Sequence, residues 1–190
     1  MYALTFAMPG TPVLFYGEEI GMGDDQSLEG RDAVRTGMQW GAEAGGGFSR
    51  APRAAMQRPP VEGGPFGYER LNVQRQREDP TSFLNWMERL IRTRREWPEV
   101  GWGTWRILPA GDDAVLALAM DWQDGSVVSI HNIASRRATV QLKMPSASGD
   151  RPWRHILGPR RRGRPPRIEE AALDIALGPY EYHWFGRRSA

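Results

Sequence analysis

A turn, a four-residue apolar run and a long polar loop succeed one another over residues 10–40, and that order constrains the fold more than any other stretch. Pro9-Gly10-Thr11-Pro12 punctuates the backbone, and Val13-Leu14-Phe15-Tyr16 follows at once. β-Branched and aromatic residues bounded by Pro and Gly predict a buried strand. Gly17 closes the run, two carboxylates follow at Glu18 and Glu19, and a loop rich in Gly and Asp then extends towards Trp40. Loops longer than about 12–15 residues in a compact domain are usually functional or disordered. This one carries Arg35, Met38, Gln39 and Trp40, a cluster suited to gripping a polar ligand, so it reads as part of a site. Upstream, residues 2–8 (Y-A-L-T-F-A-M) predict an apolar helix stopped by Pro9-Gly10. A helix feeding straight into a buried strand is the α-to-β step of an α/β barrel or layered sheet. Only one such unit is present, whereas a barrel takes eight strands and about 250 residues. The expectation is a chain that begins in the middle of a domain.

Two motifs in this stretch carry a family resemblance. Tyr16-Gly17-Glu18-Glu19-Ile20-Gly21-Met22 and Arg35-Thr36-Gly37-Met38-Gln39-Trp40 resemble the last barrel strand and following loop of the α-amylase-type glycoside hydrolases. The likeness is to the pocket-type branch that holds the trehalose synthases (maltose α-D-glucosyltransferases) and the oligo-1,6-glucosidases. In that branch the loop reads Arg-Thr-Pro-Met-Gln-Trp, so Gly37 stands where the family usually has Pro, and it loosens the backbone there. Gly47-Phe48-Ser49 resembles the element that closes this loop, and Tyr68, Asn72, Val73 and Gln76 match another recurrent element. The residues alone leave Phe48 and Tyr68 equally open to packing and to ligand contact.

Further along, Asp79-Pro80 suits an N-cap followed by the first helical position. Phe83, Leu84, Met87, Leu90 and Ile91 recur at helical spacing, with Pro98 as the stop, and Leu84-Asn85-Trp86 again resembles the family. From Gly101 the period changes to that of strands. Residues 102–108, 114–122, 126–132, 138–144, 153–157, 173–177 and 180–185 are short and apolar, and Asp124-Gly125 is a hairpin cue. Seven such segments predict an antiparallel β-sandwich. The expected architecture is therefore α/β then all-β: residues 1–98 as the end of a (β/α)8 TIM barrel, incomplete, and residues 99–190 as a C-terminal β-sandwich domain.

Composition removes several chemistries. The chain has no Cys, which excludes disulfides, thiolate metal sites and a cysteine nucleophile. Its net charge of +2 implies no polyanionic partner, and Lys143 is the only Lys beside many Arg. No apolar run approaches 18 residues, and residues 1–8 lack the basic leader and cleavage pattern of a signal peptide, so the expected setting is cytoplasmic. No cofactor or metal is expected.

The resemblance implies α-retaining glucosyl transfer by double displacement, isomerising maltose to trehalose, with an oligo-1,6-glucosidase-like hydrolase as the alternative. Such chemistry needs two carboxyl groups about 5–5.5 Å apart. The family's Asp nucleophile, Glu acid/base and His-Asp stabiliser all precede its last strand. Here His131 precedes Asn, His155 precedes Ile and His183 precedes Trp, so no His-Asp pair exists. Glu18 and Glu19 cannot replace the set, because neighbours on a strand point to opposite faces. One of them is expected to make a structural hydrogen bond. The reading assigns no catalytic residue, inactivity of this chain alone, and one substrate-binding residue, Arg35. The resemblance implies that Arg35 holds hydroxyls of a maltose- or trehalose-class sugar at the pocket floor, its guanidinium fork suiting carboxylate and hydroxyl together. The plainer alternative is a loop ion pair with Asp32. Gln39 and Trp40 are read as loop supports.

Two other readings stand beside this one. The chain could be a non-catalytic carbohydrate-binding or scaffold piece, able to self-associate through an exposed barrel edge. Residues 160–167 (R-R-R-G-R-P-P-R) look like an AT-hook for a narrow minor groove. As a single copy between two predicted strands in a charge-balanced chain, that segment is better read as a solvated loop.

Overall fold

The computed structural model describes residues 1–145, 151–159, 168–169 and 172–188. Its contacts divide the chain into two compact units, residues 13–89 and a second made of residues 1–12 with 90–190. The basic segment 160–167 lies outside the described residues.

The second unit begins with α1 (Tyr2–Ala7), which buries Ala3, Phe6 and Ala7. No basic residue of its own neutralises its last turn, and the guanidinium of Arg94 does so instead. That group donates to the carbonyl oxygens of Phe6, Met8 and Gly10, which an ending helix leaves unpaired. Residue 94 lies in α3 (Phe83–Glu96), followed by the short α4 (Glu99–Trp102) after the Pro98 break. The start of α3 differs from expectation. Asp79 accepts from the Thr81 amide and hydroxyl in a local turn, and Ser82 Oγ receives the Asn85 amide at 3.2 Å as the true cap. Asp79 loses the cap because its own turn ends three residues too early.

Eight strands follow among the described residues: β1 (Thr104–Leu108), β2 (Val115–Trp122), β3 (Gly125–Asn132), β4 (Ala138–Lys143), β5 (Arg154–Leu157), β6 (Ile168–Glu169), β7 (Ala172–Leu177) and β8 (Tyr182–Arg188). All pairings are antiparallel, in one sheet of order β1-β2-β3-β8-β5 and another of order β4-β7-β6. Alternation does the sorting. In β4, Ala138, Val140 and Leu142 are buried while their neighbours are exposed, and β7 buries Leu173, Ile175 and Leu177 likewise. These meet Ala117, Ala119, Val128, Ile130 and Phe185 of the larger sheet in one hydrophobic cluster. The two-residue β6 is too short to read from sequence. Trp102, expected in β1, ends α4 instead.

The β2–β3 turn is centred one residue earlier than the Asp-Gly cue suggests. Trp122 pairs with Gly125, and Gln123 takes the left-handed conformation, φ 51°. Gly125 is needed in the strand for another reason. A Cβ there would stand 1.9 Å from a carboxylate oxygen of Glu99, which is buried at the foot of α4. Glu99 is held by a two-point bond from Arg188 of β8, at 2.6 and 2.7 Å, and the same guanidinium lies 4.2 Å above the Trp97 ring. The Trp97 ring in turn fills the space left by Gly186.

In the other unit, the expected buried strand at residues 13–16 is corrected. The run belongs to no sheet, and Val13 is 87% exposed. A strand is buried by its neighbours, and no strand among the described residues pairs with it. Glu18 and Glu19 lie in a 3-10 turn, Glu18–Ile20, and Glu19 accepts the Gly17 amide at 2.7 Å, the structural bond foreseen for one of the pair.

Two measurements test this account. Amides of residues 13–16 are expected to exchange freely with solvent, and those of 127–130 only through global unfolding, as hydrogen exchange will read. The second concerns His131, whose ring is pushed down from 6.5 to about 4 by burial, then by the positive amino terminus and His183. Between those values the unfolded chain binds a proton that the folded chain refuses, so stability is present above about pH 6.5 and is lost as pH falls towards 4. The loss expected from urea titrations is about 3 kcal/mol, and it should shrink in His131→Gln.

Candidate functional site

Residues 13–72 contain no strand and only 3-10 turns, so most of their backbone polar groups have no ladder to join. Backbone turns meet many of them, and three side-chain amides add bonds across longer distances. Gln39, fully buried, donates to the carbonyls of Phe66 (3.0 Å) and Leu71 (2.5 Å), while the Gln39 and Trp40 carbonyls accept the Val73 and Gln74 amides. Asn72 caps α2 (Val73–Glu78) through the Arg75 amide and donates to the Tyr68 carbonyl. Gln76 donates to the Ile20 carbonyl at 2.7 Å and accepts the Leu84 amide at 2.8 Å. Ile20, Met38 and Val73 form the small apolar centre around which these bonds close, with Met22 and Leu84 against it.

That framework holds a concave pocket of about 410 Å³, with Tyr16, Arg35, Gly37, Phe48, Gln57 and Arg58 among its lining residues. The segment 35–37 fixes both aromatic walls. The Tyr16 hydroxyl donates to the Thr36 carbonyl at 2.9 Å. The Phe48 ring lies so close to Gly37 that a Cβ there would meet it at 3.0 Å, with Pro60 at 3.2 Å. Gly37 is buried and its amide donates to the Arg58 carbonyl at 3.2 Å. The glycine therefore does not loosen the loop as expected, because it supplies a donor that proline lacks and a space that proline would fill.

Arg35 faces this pocket and is exposed. Asp32, its expected ion-pair partner, lies instead 2.7 Å from Arg58 Nε, and no partner for the Arg35 guanidinium occurs among the described residues. Phe48 and Tyr68 separate. Phe48 is 55% exposed in the pocket wall, whereas Tyr68 is buried outside it, its hydroxyl 3.4 Å from Glu62 and its proton held more tightly through burial and the neighbouring carboxylates. Gln39 is a buried support, and Trp40 is half-exposed outside the pocket. Sequence reasoning missed Tyr16 and Arg58 as pocket residues. Tyr16 was hidden by the buried-strand reading, and Arg58 carried no signal. No Asp or Glu lines the pocket among the described residues, and no cluster of three or more metal-ligating side chains occurs among them.

Residues 1–103 match the family described as alpha amylase, catalytic domain. The chain belongs to the α-amylase family. Within the family it is trehalose synthase-like. It is 35% identical over 188 residues to the trehalose synthase of Pimelobacter sp. (strain R48), covering 96% of this chain and 32% of that protein. It is 36% identical over 148 residues to the trehalose synthase of Thermus thermophilus, covering 77% and 15%. The chain thus spans about a third or less of these relatives. Among solved structures, the trehalulose synthase MutB from Pseudomonas mesoacidophila MX-45 superposes with a TM-score of 0.72 at 19% identity, over 97% of this chain and 37% of that one. At that identity the match supports the fold of this α-amylase-family chain.

The Gly37 contacts give a direct test. Gly37→Pro removes the bond to Arg58 and forces Phe48 outward, so a loss of about 1–3 kcal/mol is expected in urea unfolding.

Proposed function

We propose that this chain is the C-terminal portion of an α-retaining glucosyl-transferring enzyme of the trehalose synthase type. In this reading residues 1–98 are the end of the catalytic (β/α)8 barrel and residues 99–190 a β-sandwich domain in the cytoplasm. Support comes from the match to the catalytic-domain family ending at residue 103 and from two antiparallel sheets sharing one core. The substrate is a disaccharide of the maltose or trehalose class, and Arg35 binds it. The observation that carries this is an exposed guanidinium without a partner among the described residues, aimed into a pocket walled by two aromatic rings. Aromatic walls take the apolar C–H faces of a pyranose, and a guanidinium fork takes its hydroxyls.

The chain alone is proposed to lack turnover. Double displacement needs a nucleophile and an acid/base, and no carboxylate lines the pocket among the described residues to serve as either. The exposed run 13–16 is proposed as the surface through which the chain self-associates or meets missing barrel strands.

Maltose, trehalose and an activated aryl α-glucoside are the assay substrates. No interconversion of maltose and trehalose, and no release of glucose or aryl alcohol above a buffer blank, is expected. Turnover that survives repurification and disappears in Arg35→Ala would overturn the inactivity. Binding is read separately by maltose titration in NMR. Arg35→Ala is expected to weaken it about tenfold or more, in line with loss of a charged hydrogen bond. Equal affinity in that variant would remove Arg35 from the site.

A further inference from the structure

The chain's three histidines take no part in the pocket beside Arg35, and two of them face each other. His155 Nε2 stands 2.9 Å from His183 Nδ1, between the edge strand β5 and its neighbour β8. On its far side the His183 ring bonds Glu181 Oε1 at 3.0 Å, and the second oxygen of that carboxylate accepts the Gly178 amide at 2.5 Å. His131, the third, lies on the other face of the sheet, since its neighbour Ile130 is the residue that pairs with His183.

The order of these bonds places the protons. A carboxylate only accepts, so the His183 proton on that side sits on Nε2, and in the neutral ring Nδ1 keeps its lone pair turned towards His155. His183 is fully buried and lies against Phe185 of the core, whereas His155 is half-buried and reaches solvent. Burial pushes the His155 ring below its ordinary value, against a backbone bond to Leu157 that raises it, so this ring too is neutral near neutral pH. Beside the pair, Gly158 leaves a cradle. A Cβ at this residue would stand 2.6 Å from His155 Nε2, 2.7 Å from His183 Nδ1 and 3.0 Å from the Tyr182 carbonyl oxygen. Three atoms able to ligate a cation thus surround one small volume that no side chain enters.

We propose that His155 and His183 bind a divalent transition-metal ion of the Cu2+ or Ni2+ class, with Glu181 orienting the His183 ring and the Tyr182 carbonyl beside the ion. A carboxylate on the distal nitrogen orients a ligating imidazole and raises its basicity. The spacing selects the metal. Two nitrogens each about 2.0–2.1 Å from one ion stand about 2.9 Å apart at a right angle and about 3.3 Å apart at the tetrahedral angle. The observed 2.9 Å suits neighbouring corners of a square or an octahedron, the arrangement of Cu2+ and Ni2+, better than the tetrahedron of Zn2+. Mg2+ and Ca2+ prefer oxygen ligands and do not match two imidazoles. Water completes the coordination from the open side of His155. In the metal-free chain the rings share a proton; it moves from His155 Nε2 to Nδ1 as the ion takes its place, so both rings stay neutral. The ion fastens a four-residue edge strand whose register shifts just after His155.

The whole 190-residue chain, free of any affinity tag, is titrated with Ni2+, Zn2+ and Mg2+ by calorimetry and with Cu2+ by electron paramagnetic resonance. Ni2+ is expected to bind, Zn2+ more weakly and Mg2+ not at all, and the copper spectrum is expected to show two imidazole nitrogens. Bound Ni2+ should also raise the unfolding temperature, as a ligand of the folded state does. His155→Gln is expected to lower Ni2+ affinity about tenfold or more, and Glu181→Gln to lower it by a similar factor. Circular dichroism checks that both variants stay folded, and where one does not, the copper spectrum of the unaltered chain decides. No Ni2+ binding, fewer than two nitrogens on copper, or unchanged affinity in a folded His155→Gln variant would each overturn the proposal. Zn2+ bound more tightly than Ni2+ would overturn the assigned metal class.

Discussion

A backbone that runs for some sixty residues without a strand or an α-helix must find partners for its amides and carbonyls elsewhere, because burying them unpaired costs more than packing returns. In this chain turns of the backbone itself meet many of them, and side-chain amides meet several of the rest across long sequence distances. Gln39, Asn72 and Gln76 each bond two or more backbone groups, and between them they join the 3-10 turn after residue 17, the loop near residue 40, α2 and the start of α3. The pocket depends on this framework. Arg35, Thr36 and Gly37 immediately precede Met38 and Gln39, which are buried in the same framework, so the backbone that carries the aromatic walls is anchored by it. An amide is apt for the task because it donates and accepts at once and carries no charge to desolvate.

The sheet-bearing unit solves the same problem with ladders, and its one costly element is the buried carboxylate of Glu99. A buried ion gains little net stability unless every lone pair is met. Arg188 meets both oxygens, Gly125 leaves them room, and Trp97 covers the guanidinium from above. The last described strand is thereby tied to the helix break at Pro98 and to the first hairpin at three separate points. Such a junction specifies one register for β8, since a shift by one residue would turn Arg188 to the other face of the sheet.

What could be read from the sequence follows from how local each signal is. The strands of the second half announced themselves through alternation and turn residues, and most ends fell within two residues. The two-residue β6, the short α4 that takes Trp102 out of β1, and the exact centre of the β2–β3 turn escaped, the last because Gly125 is required by Glu99 and not by the turn. Residues 13–16 have every local mark of a buried strand. Burial is a property of neighbours, and no local mark reports whether neighbours are present. As a pocket residue, Arg35 was legible because its motif is kept around it at every position but Gly37. Arg58 was not, since its part is played by a backbone carbonyl that any residue could have supplied.

The exchange of proline for glycine at position 37 brings these threads together. A glycine ordinarily weakens a loop through the freedom it gives the unfolded chain. Here the folded loop recovers part of that cost through the amide bond to Arg58 and through the Phe48 ring, which settles where a side chain would have stood. At residue 37 an aromatic wall thus packs against bare backbone. Since Phe48 and Tyr16 both line the pocket, its shape depends in part on the absence of side-chain atoms at residue 37. A loop motif that differs from its family at one position can in this way keep its order while altering the shape of the pocket beside it.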